Sequence, residues 1–199
     1  MQLCAITDRK GAPQPLLTLV EGWSIGGVDF IQLREKDLSA TALQSLTREV
    51  LGKIDRRRSK LLVNVSTPES AALALGVGAD GVHLAGTPLP GAASSVRKAF
   101  RSANPIISVP CHSLEDIDVA CGEQVDLILF SPVFGKLSAG FSQPAQGLEG
   151  LRLACAVARG TPVLALGGVT NGNALDCIAA GAAGIAGIRL FAGDDWQRL

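Results

Sequence analysis

The sequence lacks the features that direct a protein to a membrane or to a nucleic acid. Its 199 residues carry no net charge, because 18 Lys and Arg residues balance 18 Asp and Glu residues, so no overall field recruits nucleic acid or an anionic bilayer. No apolar run reaches the roughly 18 residues that a transmembrane helix needs. The first residues show no basic region followed by an apolar core. We therefore expect a cytoplasmic protein with no nucleic-acid partner and no membrane partner.

The cysteines also lack a recognisable pattern. Five is an odd number, and no two of them show the spacing of a metal-binding pair. Several lie within apolar runs, which favours reduced, mostly buried thiols over a disulfide framework. Their positions are Cys4, Cys111, Cys121, Cys155 and Cys177.

What the sequence does contain is a repeating alternation of strand and helix. With 47% hydrophobic residues the chain can bury one substantial core, and no segment has the composition of a linker, so we predict a single domain over residues 1–199. Strands are predicted near residues 3–6, 30–33, 60–64, 81–84, 106–109, 127–130, 163–166 and 184–188. Helices are predicted near 13–25, 39–53, 67–75, 91–100, 113–120, 148–158 and 172–180, with a short terminal piece after Asp194. Eight such units favour an α/β fold of the (β/α)8 TIM-barrel type over an open sheet.

A charged segment follows the second predicted strand. Here an apolar run changes within a few residues into Gln32-Leu33-Arg34-Glu35-Lys36-Asp37. Because ligand sites of such folds lie at the carboxyl ends of the strands, Arg34 and Lys36 are expected to face a pocket. Two cations at that position indicate an anionic ligand.

The two histidines suggest different roles. His83 alternates with apolar residues in its strand, so it is either a hydrogen-bonded core residue or a ligand contact. His112 lies between the fifth strand and the next helix, where a side chain that changes charge close to neutral pH can act as acid or base. Cys111 is its neighbour, but adjacent residues in extended backbone point to opposite sides, so a Cys-His nucleophile pair is not expected.

Glycines follow the last two predicted strands. Gly167-Gly168 comes after strand 7, and Gly187-Ile188 ends strand 8. Glycine lets main-chain N–H groups approach phosphate oxygens closely, and these two loops are the usual phosphate-binding site of such barrels. The spacing therefore predicts a phosphate-binding pair of loops.

Taken in order, these motifs resemble the thiamin phosphate synthase and TenI superfamily, and the resemblance spans nearly the whole chain. It implies a (β/α)8 barrel that binds a thiazole phosphate, with the phosphate on Gly167, Gly168, Gly187 and Ile188. The motifs that carry it are Ala5-Ile6-Thr7-Asp8, Gln32-Leu33-Arg34-Glu35-Lys36-Asp37, Val63-Asn64, Ala79-Asp80-Gly81-Val82-His83-Leu84, Cys111-His112-Ser113-Leu114-Glu115, Ser131-Pro132-Val133-Phe134, Gly147-Leu148-Glu149, Leu166-Gly167-Gly168-Val169 and Gly181-Ala182-Ala183-Gly184-Ile185-Ala186.

The chain departs from the synthase pattern at several positions. The resemblance implies that Gln32, Arg34, Lys36 and Asn64 hold an aminopyrimidine diphosphate and that two aspartates hold Mg²⁺. The first aspartate would directly follow Asn64, where this chain has Val65, and the second falls within Ala85-Gly86-Thr87-Pro88, which contains no acid. A synthase serine is replaced by Pro110. In the altered loop after strand 6, only Lys136 and Ser138 remain as substrate-binding candidates, and His83 is a further one.

TenI-type members are similar in lacking the metal pair while keeping the histidine, which here is His112. The resemblance then implies thiazole tautomerisation with His112 as acid or base, Arg34 or Lys36 holding a carboxylate, and no metal or other cofactor. Two alternatives stay open. One is a divergent thiamin phosphate synthase whose Mg²⁺ ligands have moved to Asp8 or Asp37, and the other is a binding protein without catalysis. A homodimer also stays open as the assembly.

Overall fold

Eight parallel strands close into a barrel in sequence order, which confirms the predicted (β/α)8 architecture. The computed structural model describes residues 1–87, 89–101, 103–135 and 144–199. Pairing of β1 with β8 completes the closure. The strands are β1 Gln2–Ile6, β2 Phe30–Leu33, β3 Lys60–Val65, β4 Gly81–Leu84, β5 Ile106–Cys111, β6 Leu127–Phe130, β7 Val163–Ala165 and β8 Gly184–Gly187.

In the described residues, seven α-helices alternate with the strands. They are α1 Leu16–Ile25, α2 Ala40–Leu51, α3 Pro68–Gly76, α4 Ala92–Ala99, α5 Leu114–Gly122, α6 Gly147–Val157 and α7 Ala174–Ala179. Ser39, Thr67 and Ser113 are the N-cap residues of α2, α3 and α5, and the side-chain oxygen of each accepts a hydrogen bond from the main-chain N–H three residues later. Among the described helices, none combines the length and the apolar character needed to cross a bilayer.

Two of the boundaries that differ from the prediction lie at a proline. Helix α1 begins at Leu16 rather than near residue 13, because Pro15 has extended backbone with ψ of 136°. Strand β5 continues beyond residue 109, since Pro110 and Cys111 pair with Leu129 and Phe130 of β6. This extension brings His112 directly to the end of a strand.

The core has two separate parts, one inside the barrel and one between the barrel and the helices. Leucines of β3, β6 and β7 fill the inside together with smaller residues of β1 and β8. Its fully or nearly fully buried members are Cys4, Ile6, Leu62, Leu127, Leu129, Leu164 and Ala186. Side chains alternate along a strand. The residues that follow this inner layer by two positions on β2 to β5 therefore also point inward, and they lie nearer the carboxyl end of the barrel.

Three aspartates fix the amino ends of the strands. Each directly precedes an even-numbered strand, and its Oδ2 accepts a hydrogen bond from a main-chain N–H of the preceding odd-numbered strand. The pairs are Asp29 with Leu3 at 2.8 Å, Asp80 with Leu61 at 3.0 Å and Asp126 with Ile107 at 2.7 Å. The equivalent position before β8 is Ala183. The aspartate before each of these even-numbered strands therefore joins that strand to the preceding one.

The chain after β8 forms two short 3-10 helices, Arg189–Phe191 and Asp195–Arg198, in the place of a full eighth helix. This agrees with the short terminal piece predicted after Asp194. Trp196 is buried and packs on Phe191 with ring centroids 5.7 Å apart. The Trp23 indole Nε1 donates to the Phe191 carbonyl at 2.9 Å, so α1 and the terminal segment close over the same side of the barrel.

Replacing Asp80 with alanine tests the aspartate anchors. Only 10% of the Asp80 side chain is exposed, and its loss leaves the buried Leu61 N–H without an acceptor and Arg56 without its partner. We expect the free energy of unfolding in urea to fall by about 1–3 kcal/mol. Asp118→Ala is the matched control, because the Asp118 to Arg159 pair is exposed and should contribute less than about 1 kcal/mol. Equal losses for the two variants would contradict the anchoring role.

Candidate active site at the carboxyl ends of the strands

Polar side chains line one half of the inside of the barrel near its carboxyl end. Gln32 of β2, Asn64 of β3, His83 of β4 and Ser108 of β5 lie on the inward positions of four consecutive strands. Gln32 is 2% exposed, and its Oε1 has no hydrogen-bond partner among the described residues. A buried carbonyl oxygen without a donor is costly, so a ligand N–H or O–H at this point would satisfy it.

His83 is held as a neutral ring inside this half. Its Nδ1 lies 2.6 Å from the Ser108 Oγ, and both residues are buried. Burial, and next the positive charge of Arg34, lower the pKa of His83 to about 3. The ring therefore offers hydrogen bonding without charge at neutral pH, and it lies close enough to Arg34 to sense the guanidinium.

The Thr7 hydroxyl positions the backbone of Arg34. It accepts the Arg34 main-chain N–H at 2.9 Å and donates to the Glu35 Oε1 at 2.7 Å. The half-buried Arg34 guanidinium makes no hydrogen bond or ion pair with the described part of the chain. It is thus a cation at the mouth of the barrel that an anionic ligand can approach. Lys36 lies two residues further on and is exposed.

A carboxylate network beside Arg34 was not predicted from the sequence. Glu35 is 7% exposed and accepts hydrogen bonds from the Arg9 main chain at 3.1 Å and from the Arg9 Nη1, also at 3.1 Å. Asp37 binds the same guanidinium through both of its oxygens at 2.7 Å and pairs with Lys10 at 2.8 Å. The hydrogen bonds from Arg9, and then from Lys10, hold the pKa of Asp37 well below its usual range. The positive charge of Arg9 is therefore compensated within the protein.

His112 is fixed with one ring nitrogen turned away from its anchor. Its Nδ1 lies 2.6 Å from the Ser131 carbonyl oxygen, which can only accept, so Nδ1 carries the proton. In the neutral ring the lone pair is then on Nε2, which can take up a proton. The Asp116 Oδ2 accepts the His112 main-chain N–H at 2.7 Å, and Asp116 lies in the first turn of α5.

Cys111 does not cooperate with His112. Its side chain is fully buried in the core between the barrel and the helices. Burial, with smaller contributions from Asp116 and Cys121, raises the pKa of the Cys111 thiol to about 12. A thiol that stays protonated on the far side of the strand is not a nucleophile for this site, as the sequence indicated.

The predicted phosphate-binding loops lie side by side, because β7 and β8 are paired. Gly167 and Gly168 have φ values of 94° and 71°, and a Cβ on either would lie within 2.8 Å of Pro132 or Phe134. The main-chain N–H groups of Gly167, Gly168 and Ile188 donate to no described residue. The Asn173 carboxamide supports the loop by donating to the Gly168 carbonyl at 3.1 Å.

Several predicted site residues therefore converge at one end of the barrel. Gln32, Arg34, Asn64, His83 and His112 all come from strand ends or from the residues that follow them. Lys136 and Ser138 lie outside the described residues. The phosphate-binding roles of Gly167, Gly168, Gly187 and Ile188 and the ligand-binding roles of the other residues stay predictions.

Comparison with known proteins identifies the family. A profile described as thiamine monophosphate synthase matches residues 3–191. The chain belongs to the thiamine monophosphate synthase family. The resemblance seen in the motifs is thereby confirmed, and the chain spans most of the length of the family members that it matches.

Three members illustrate this similarity. A Geobacter sulfurreducens protein provisionally named a thiamine-phosphate synthase is 38% identical over 194 residues, which cover 96% of this chain and 87% of that protein. The Moorella thermoacetica thiamine-phosphate synthase is 32% identical over 188 residues, covering 94% and 86% of the two chains. The structure titled thiamine phosphate pyrophosphorylase from Pyrococcus furiosus superposes with a TM-score of 0.81 at 26% identity, covering 99% of this chain and 90% of that one.

The Mg²⁺ site that the synthase resemblance implies does not fit the residues of this family member. Val65 is 3% exposed and packs in the core outside the barrel. Glu35 and Asp37 are already bound to Arg9, and Asp8 caps the Gly11 N–H. No cluster of three or more possible metal ligands occurs in the described ranges, and the remaining positions, 88, 102 and 136–143, contain no Asp, Glu, His or Cys. Hard oxygen ligands for Mg²⁺ are therefore not gathered at the barrel mouth.

Because His83 is buried as a neutral ring, we expect the protein to lose stability in mild acid. The unfolded state takes up a proton at His83 below about pH 6.5, whereas the folded state does so only near pH 3, so stability falls as pH drops through this window. We expect the free energy of unfolding of the native chain to fall relative to that of His83→Gln between pH 6.5 and pH 5, by at most about 1.4 kcal/mol per pH unit. Urea titrations at several pH values measure it, and parallel curves for the two proteins would show that His83 is not held neutral.

Proposed function

We propose that this protein binds a thiazole phosphate and catalyses its tautomerisation, with His112 transferring the proton. The observation that carries the proposal is the orientation of His112, whose Nδ1–H is bound to the Ser131 carbonyl while Nε2 is left to exchange a proton. The reaction moves one proton between two positions of the same ligand. Atoms and electrons balance without an oxidant, a second substrate or a metal ion.

The remaining residues supply the two contacts that such a reaction needs. The free N–H groups of Gly167, Gly168 and Ile188 would bind the phosphate, since main-chain donors at the end of a strand suit an anion. Arg34 would bind the carboxylate of a thiazole carboxylate, because its guanidinium has no partner in the described chain and can bind both oxygens. Held at both ends, the ring would present its reacting positions to the Nε2 of His112.

A second candidate function is that of a thiamine-phosphate synthase, a transferase that joins hydroxymethylpyrimidine diphosphate to thiazole phosphate. The names of the family members favour it over tautomerisation, because the Moorella protein and the Pyrococcus structure both carry the synthase or pyrophosphorylase title. The donor set of this chain argues against it. Val65 and the acid-free segment after Leu84 offer nothing to bind the Mg²⁺ that would neutralise a leaving diphosphate.

The variant His112→Asn tests the proposed acid or base. Asparagine keeps an N–H donor near the Ser131 carbonyl but has no group in the place of Nε2, so turnover in a thiazole tautomerisation assay should fall about 10²-fold or more. The dissociation constant for thiazole phosphate, measured by calorimetry, should change by less than about threefold, because binding relies on Arg34 and the glycine loops. Undiminished turnover in the variant would remove His112 from the reaction.

Metal dependence separates the two candidate functions. We expect tautomerisation to proceed equally in EDTA and in Mg²⁺, because proton transfer through His112 uses no metal. With hydroxymethylpyrimidine diphosphate, thiazole phosphate and Mg²⁺ together, we expect no thiamin phosphate by chromatography. Metal-dependent formation of thiamin phosphate would establish the synthase instead. Thiazole phosphate binding with neither reaction would indicate a binding protein without catalysis.

A further inference from the structure

The main chain of His112 is held from two sides, and one of the contacts comes from a distant element. The Asp116 carboxylate, in the adjoining helix α5, accepts its N–H at 2.7 Å. On the other side, the Gln146 Nε2 donates to the His112 carbonyl oxygen at 2.9 Å. Gln146 is 34 positions further along the chain, so its contact with His112 is purely tertiary.

Gln146 itself is firmly placed. It is the N-cap residue of α6, and its main-chain N–H donates to the Pro132 carbonyl at 2.9 Å. The next N–H, that of Gly147, donates to the Val133 carbonyl at 2.9 Å. The start of α6 is therefore attached by main-chain bonds to the segment that also supplies the Ser131 carbonyl. The Gln146 side chain adds a link from this unit to His112.

This geometry fixes the position of His112 relative to the segment that anchors its ring. The ring of His112 is anchored on the Ser131 carbonyl, and its main chain is anchored through Gln146 to a helix fixed on Pro132 and Val133. Without the Gln146 donor, the His112 carbonyl loses this restraint, and the main chain that carries the ring is held less firmly. A displacement of about 1 Å of a reacting group can lower a rate by as much as 10²-fold.

We propose that Gln146 is a positioning residue, which fixes the His112 main chain so that Nε2 points at the reacting ligand. The inference rests on the function proposed above for His112. Gln146 does not exchange a proton or contact the reacting atoms in this proposal. It acts through His112, and the main-chain bonds at Gln146 and Gly147 keep α6 in place when the side chain is changed.

Two substitutions at this position separate hydrogen bonding from side-chain size. Gln146→Met has similar length and volume but cannot donate, and Gln146→Glu places an acceptor opposite the His112 carbonyl. For both we expect kcat to fall about 10-fold, while the dissociation constant for thiazole phosphate stays within about twofold and the main-chain bonds keep the fold intact. Gln44→Met is the matched control. Gln44 is a half-buried glutamine of α2 in the groove against α3 and is not among the residues of the candidate site, so the variant should keep full activity.

A spectroscopic measurement makes the test independent of activity. The chain has only two histidines, so ¹⁵N-histidine labelling gives a simple spectrum. The His112 Nδ1–H signal should be sharp in the native protein and in Gln44→Met. In Gln146→Met and Gln146→Glu it should broaden or exchange faster with water, because the ring moves relative to the Ser131 carbonyl.

The outcomes distinguish this inference from the function on which it rests. Reduced kcat with unchanged ligand affinity in both Gln146 variants, together with a mobile Nδ1–H, supports positioning. Native kcat in Gln146→Met overturns it and leaves the proposed tautomerase function in place. If the native protein shows no tautomerisation, the proposed function fails, and the spectrum alone tests the positioning role. An Nδ1–H signal that is identical in all four proteins overturns positioning. Selective broadening in the two Gln146 variants supports it.

Discussion

Closure of the sheet between β1 and β8 is the constraint on which the rest of the molecule depends. These strands pair along Gln2 to Ala5 and Gly184 to Gly187, and a Cβ at position 184 would overlap the main chain of Gln2. Glycine is therefore required for close approach there, and Gly81 meets the same limitation beside Ile106. A closed sheet has no edge strand, so every main-chain group of the strands can be paired. Closure also brings the carboxyl ends of all the strands to one rim, where separate short motifs become a single site.

The inside of this closed barrel is divided into a polar half and an apolar half. Strands β2 to β5 present a glutamine, an asparagine, a histidine and a serine, whereas β6 to β8 and β1 present mainly leucine, isoleucine and alanine. Burial inside the barrel, and then the positive charge of Arg34, keep His83 neutral. At the rim, Glu35 and Asp37 compensate the positive charge of Arg9. The Arg34 guanidinium, in contrast, has no partner among the described residues. A ligand with a single anionic group near β2 suits this distribution.

Family membership and reaction chemistry are decided by different residues in this protein. Membership follows from the strand-and-turn motifs that build the barrel over residues 3–191. The proposed reaction depends on a few rim positions, and the resemblance implies metal-binding aspartates at two places where this chain has Val65 and the acid-free segment 85–88. Val65 packs in the core outside the barrel. One fold can host different chemistries, because its loops are main-chain features whereas the chemistry is set by a few side chains.

The sequence alone determined the order and type of all eight strands, and it indicated which polar residues lie at their carboxyl ends. Strand identity follows from local patterns, namely apolar runs bounded by glycine and aspartate, and parallel strands place their carboxyl ends together. The local pattern gave the wrong element boundary at two prolines. Helix α1 begins only after Pro15, and Pro110 lies within β5. Only the tertiary structure revealed that Glu35 accepts hydrogen bonds from Thr7 and Arg9, and that Gln146 donates a hydrogen bond to His112. These contacts join residues 26 to 34 positions apart. No local pattern encodes them, because they depend on the distance between side chains that only the closed barrel sets.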